Sequence, residues 1–157
     1  MKTLVKLVSV LMIAVLAFGM IGCNKADEVD IKELKQHKGN MLVITAYPQG
    51  PMTEEEYNMR VSSIRLDYPG TAYIPNPIEE QQISMPDDEY LKIYNFCKKA
   101  VAENKFANYS EQVCDGTTYK FVYFDTEGHE HVLYDGYCYE NKELRNIISL
   151  ITKYQID

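Results

Sequence analysis

The residue pattern predicts an α+β fold: a small antiparallel sheet with two helices packed on one face. Three observations carry this. Ser62 to Tyr68 alternates, with Ile64, Leu66 and Tyr68 on one side and Ser63, Arg65 and Asp67 on the other, as a half-buried strand requires. Residues 119–124 and 129–134 are two strand-like runs joined by Asp125-Thr126-Glu127-Gly128. Asp at the first turn position and Gly at the fourth suit a type I turn followed by a left-handed residue, so the pair reads as a hairpin. Two segments carry apolar stripes at helical spacing, one after Pro86 and one after Asn141. The order strand, strand, helix, hairpin, helix then favours an antiparallel sheet with helices to one side.

The elements follow in chain order. Met41 to Tyr47 is a short apolar run before Pro48 and Gly50 and predicts a buried strand. Thr53 and Glu56 have capping-box spacing, so a helical turn is expected next. Pro69-Gly70 stops the alternating strand, and Pro75 and Pro77 remove ladder donors from 72–78, which makes that stretch an edge strand or a loop. Pro86-Asp87-Asp88-Glu89 opens a helix, because proline suits the first turn and the acids face the positive end of the helix dipole. Its expected stripe is Leu91, Tyr94, Cys97 and Val101, ending near Asn104. Asn141 caps the last helix, with Leu144, Ile147, Ile148 and Ile151 as its apolar face.

The N-terminus has a different character. Lys2 and Lys6 precede an apolar run from Leu7 to Ile21 that is too short to span a bilayer comfortably, which takes about 20 apolar residues. The run closes as Met20-Ile21-Gly22-Cys23 and turns polar at Asn24-Lys25. This junction resembles the lipobox of bacterial lipoproteins, with Gly22 and Cys23 matching and Met20 where Leu is usual. The resemblance implies a signal peptide over 1–22 and lipidation, with palmitate among the chains, at Cys23. It further implies an address on the cell membrane or outer membrane, facing outside the cytoplasm. Two or three acyl chains anchor firmly where one does not. Ordinary cleavage after Gly19, with Ala17 and Gly19 as the small pair, is the rival reading. Residues 23–40 are polar and read as a lipidated tether with a nascent helix within 30–38, leaving 41–157 as one domain. The segment over roughly 84–154 also resembles small domains of uncharacterised bacterial lipoproteins, through a helix, then Asp115-Gly116-Thr117-Thr118-Tyr119, a glycine-tipped hairpin and a last helix. That resemblance implies no activity.

Loss of the signal peptide takes Lys2 and Lys6 with it and leaves 14 basic against 23 acidic side chains, a net charge of −9. Such a surface argues against nucleic acid and against direct docking on anionic lipid, both of which need basic patches.

Candidate chemistry is sparse. With Cys23 lipidated, Cys97, Cys114 and Cys138 are left, and exported thiols tend to pair. Cys114 lies just before the first hairpin strand and Cys138 just after the second, so antiparallel pairing brings them to one end and favours a Cys114–Cys138 disulfide. A bond from Cys97 to either, or no bond, is the alternative. His129 and His131 are two apart on one strand and share a face, a spacing that a metal site could use with Asp125, Glu127 or Asp135 as third ligand. Neither hairpin register forces a carboxylate onto that face. Weak adventitious zinc binding is expected, and removal of both imidazoles should leave the fold nearly unchanged. The pattern assigns no catalytic residue, no cofactor and no metal ligand.

Thirteen tyrosines and no tryptophan suit half-buried strands, and they also suit a recognition surface, because tyrosine gives large contact area at low entropic cost. Tyr68 and Tyr73 around the prolines, and Tyr134, Tyr137 and Tyr139 at the hairpin's end, form the candidate partner surface. The expected function is a non-catalytic, membrane-tethered interaction module for an envelope protein or glycan. The rival readings are an envelope hydrolase, metal-assisted at His129 and His131, and an accessory subunit of an envelope assembly.

Overall fold

The structure, a computed structural model, describes residues 31–76, 79–113 and 115–155. The signal segment, Cys23 and Cys114 lie outside the described residues. Ten elements follow one another: α1 (Ile31–Leu34), β1 (Gly39–Pro48), α2 (Glu54–Arg60), β2 (Ser62–Tyr68), β3 (Thr71–Ile74), β4 (Gln81–Ser84), α3 (Asp87–Glu103), β5 (Thr117–Phe124), β6 (Glu130–Gly136) and α4 (Lys142–Thr152). The six strands form one antiparallel sheet in the order β4-β3-β2-β1-β5-β6. The α+β class is as the sequence predicts.

The register explains why one face is covered. Leu42 stands opposite Leu66 and Tyr123, and Ile44 opposite Ile64 and Phe121. These residues, with Ala72 and Tyr134, face a core closed by α3 and α4. The other face carries a row that crosses all six strands: Gln82, Tyr73, Arg65, Val43, Val122 and Val132. The two long helices run antiparallel. Lys105, just past the end of α3, pairs with Glu143 at the start of α4, and Tyr154, just past α4, donates to Glu89 in the first turn of α3 at 2.8 Å.

Local signals in the sequence map onto local structure. Thr53 and Glu56 form the full capping box on α2. Asn141 caps α4 by accepting from the N–H groups of Glu143 and Leu144 at 3.1 Å each. In the β5–β6 turn the Gly128 N–H donates to the Asp125 carbonyl at 3.0 Å, and Gly128 takes φ +87°, where a side chain would be strained.

Three expectations change. Ala72 to Ile74 are not a sheet edge: β3 is paired on both sides, because Pro75 comes after the last ladder residue and costs no hydrogen bond, and 75–76 form the expected loop. The edge on that side is β4, whose Gln-Gln-Ile-Ser sequence is too polar to announce a strand. The buried face of α3 is Tyr90, Ile93, Tyr94, Cys97 and Ala100, with Leu91 and Val101 at its margins. The helix packs two large rings inward at Tyr90 and Tyr94, which turns the stripe away from Leu91. Finally, the stretch read as tether is folded from Ile31 on, since Leu34 is only 2% exposed and sits in the core.

Candidate functional site

The two ends of the sheet are built around one carboxylate each. β1 and β2 pair Gly39 with Tyr68, and Tyr68 donates its hydroxyl to the Phe124 carbonyl at 3.3 Å. The start of β1, the β2–β3 turn and the tip of the β5–β6 hairpin therefore share one end. The start of α3 joins them, because the Lys35 ammonium meets the Asp87 carboxylate at 2.8 Å and the Met85 N–H donates to the Gly70 carbonyl at 2.8 Å. At the opposite end the Gln49 N–H donates to the Gly116 carbonyl at 2.7 Å, and Thr117 stands opposite Pro48.

At the hairpin-tip end, Asp125 Oδ1 accepts the N–H groups of Glu127 and His129 at 2.9 Å each. Its Oδ2 lies 3.0 Å from His131 Nε2 and 3.2 Å from His129 Nδ1. Of the three carboxylates that could join the histidine pair, Asp125 is the one that reaches both rings, an approach that the hairpin sequence does not force. The three-residue loop turns the Asp125 side chain back over the strand pair, where Tyr123 stands opposite His131 and stacks on it at 5.9 Å. The His131 hydrogen bond, outweighing the partial burial that opposes it, holds the Asp125 carboxyl below the usual carboxylate range, with the two N–H bonds and His129 adding to it. This is a hydrogen-bonded clip on the turn. Among the described residues no group of three or more His, Cys, Asp or Glu side chains is set to hold a metal ion.

The other end is held by Glu111. Its carboxylate accepts the N–H groups of Tyr139, Glu140 and Asn141 at 2.7, 3.1 and 3.2 Å, and the Tyr109 hydroxyl at 2.6 Å. Burial pushes the Glu111 carboxyl up, but these four donors outweigh it and hold it below its ordinary value. The same contact drives the Tyr109 hydroxyl up to about 12. One side chain thereby fixes the segment between β6 and α4, directly in front of the Asn141 cap.

That segment carries Tyr137, Cys138 and Tyr139. The Tyr137 and Tyr139 rings stack, with centroids 6.1 Å apart and planes 27° from parallel. The Tyr139 hydroxyl accepts the Thr117 N–H at 2.7 Å, and the Tyr139 carbonyl accepts from Arg145 at 2.9 Å. A Cβ on Gly116 would overlap the Tyr139 hydroxyl, so the close approach of ring and backbone requires glycine there. Tyr139 nevertheless remains 44% exposed. It stands between two clefts, one of about 410 Å³ reaching Tyr119, Cys138, Arg145 and Ile148, the other of about 700 Å³ bounded by Tyr109, Glu111 and Glu140. Cys138 is buried with a free thiol, and burial, with the Glu111 charge, pushes that thiol up to about 11. A thiol held protonated is a poor nucleophile near neutrality.

The structure divides the tyrosines of the expected partner surface. Tyr68 and Tyr134 are core residues, 5% and 4% exposed, because their strands turn them toward the helices. Tyr134 donates its hydroxyl to the Tyr137 carbonyl and so supports the stacked pair. Tyr73 lies on the uncovered face of the sheet with the Arg65 guanidinium 4.8 Å above its ring. Glu111 gave no signal in the sequence, since the N–H groups it binds lie 28 to 30 residues away. Comparison with known proteins brings no match to this chain: no family model, no curated protein and no solved structure is similar to it.

Proposed function

We propose that this chain is a lipid-anchored protein of the bacterial envelope that works outside the cytoplasm as a non-catalytic binding module, with the Tyr137–Tyr139 end as its contact surface. The observation that carries the reading is Tyr139 itself. A large ring, exposed and yet fixed by its hydroxyl, its carbonyl, a stacked neighbour and the Glu111 clamp, is prepared for contact. Binding through such a ring loses little conformational entropy. Its partner is an envelope protein or a glycan, since stacked rings beside clefts with hydroxyl and carboxylate edges suit either. The membrane address rests on the Gly22-Cys23 junction.

Two experiments test the two halves. Crosslinked recovery of the tethered protein from its own cells should yield a partner that is lost with Tyr139→Ala and kept with Met59→Ala. Equal recovery by both variants refutes the site. Cys23→Ala should release the protein from membranes and abolish palmitate labelling, and a mutant labelled like the parent refutes the anchor.

A further inference from the structure

Taking the lipid anchor of the proposed function as its premise, we infer that the hairpin-tip end rests against the headgroup layer of the bilayer that carries the anchor, so that the Tyr139 end points outward. Seven residues, 24–30, separate Cys23 from Ile31. Fully extended they reach about 25 Å, at ~3.6 Å each. Ile31 begins α1, which enters the sheet at the end marked by Gly39, Tyr68 and the hairpin tip. The ten residues of β1 run about 33 Å along the sheet, at ~3.3 Å per residue. The attachment point is thus at one end of a body longer than its tether, and the opposite end is carried away from the lipid.

The chemistry of the two ends agrees with that placement. Lys32, Lys35, Lys38, Asp87, Glu127 and His129 crowd the anchored end. Mixed signs of this kind suit a zwitterionic headgroup layer of phosphates and amines. The exposed large hydrophobics among the described residues lie elsewhere. Tyr57 and Met59 are on α2 and Tyr139 beyond β6, all at the far end, and Val132 is on the edge strand between the two ends. The polar end matches the wet surface, and the end that carries the exposed Tyr139 ring matches a partner out of the membrane plane.

The chain has no tryptophan, so one introduced residue becomes the single tryptophan, excited selectively beyond the tyrosine band. Full-length lipidated Glu127→Trp and Met59→Trp proteins, both altered at exposed positions, would be reconstituted into phosphatidylcholine–phosphatidylethanolamine vesicles containing a trace of dansyl-labelled headgroup. Energy transfer from tryptophan to dansyl should be several-fold greater from position 127 than from position 59. Protein that floats with the vesicles but transfers equally from both sites, or more from 59, overturns the orientation and leaves the anchor standing. Protein that fails to float overturns the anchor and this inference with it.

Discussion

The two ends of the sheet solve the same problem at different ranges. Asp125 gathers donors two, four and six residues away and fixes a turn that its own segment already favours. Glu111 gathers three N–H groups from across the fold and fixes a segment with no regular structure of its own. The first carboxylate decorates a hairpin, and the second joins two parts of the chain that would otherwise part company. A side chain that closes a long loop opposes more chain entropy than one that tightens a turn, so the Glu111 end should depend more heavily on its clamp.

Breaking what the ends share should have the largest effect. Phe121 is fully buried mid-sheet between Ile44 and Tyr134. Phe121→Ala is expected to cost about 3–5 kcal/mol. Urea unfolding followed by tyrosine emission and by amide exchange at each end should show both ends failing together. Separate transitions would mean that the ends are independent units.

Next comes the bond that would lock the Tyr139 end alone. Cys138 sits beside Tyr139, and we expect it to pair with Cys114 under oxidising conditions and to stabilise the fold by about 2–4 kcal/mol. Peptide mapping without reductant decides this, and free thiols at both positions in exported protein would refute it.

A smaller effect separates the ends. Glu111→Ala strips one acceptor from four donors and is expected to cost roughly 1–3 kcal/mol, since water replaces part of the loss. Exchange protection should fall at the amides of Tyr139 to Asn141 and stay unchanged at those of Glu127 and His129. Uniform loss across the sheet would deny Glu111 its local role.

The smallest effect belongs to Asp125 and appears as a pH dependence. Its carboxyl is held low in the folded state, so its contribution is present above the unfolded carboxylate range, about pH 4, and fades as the pH falls below that. Asp125→Asn should lower the melting temperature slightly at pH 7, and the gap from the parent should close toward pH 2. A gap that widens in acid would reverse the sign of the argument.

What was legible in the sequence is what short-range physics writes there. The alternation of Ser62 to Tyr68, the Thr53–Glu56 box, the Asn141 cap and the Gly128 turn each depend on residues within a few positions, and each forms as read. The α+β class follows from their order. Tertiary structure decided the rest. Gln81–Ser84 is a strand because β3 offers it a ladder, since its own side chains give it little reason to extend. Tyr68 and Tyr139 are the same residue type with opposite fates, one turned into the core by strand register, the other left exposed by a loop that Glu111 holds in place. Leu34 joins the core although Glu33 and Lys35 beside it are polar. Composition and spacing fix most of the elements that form. Which of their side chains meet is fixed by contacts between distant segments, and those exist only once the sheet has closed against its helices.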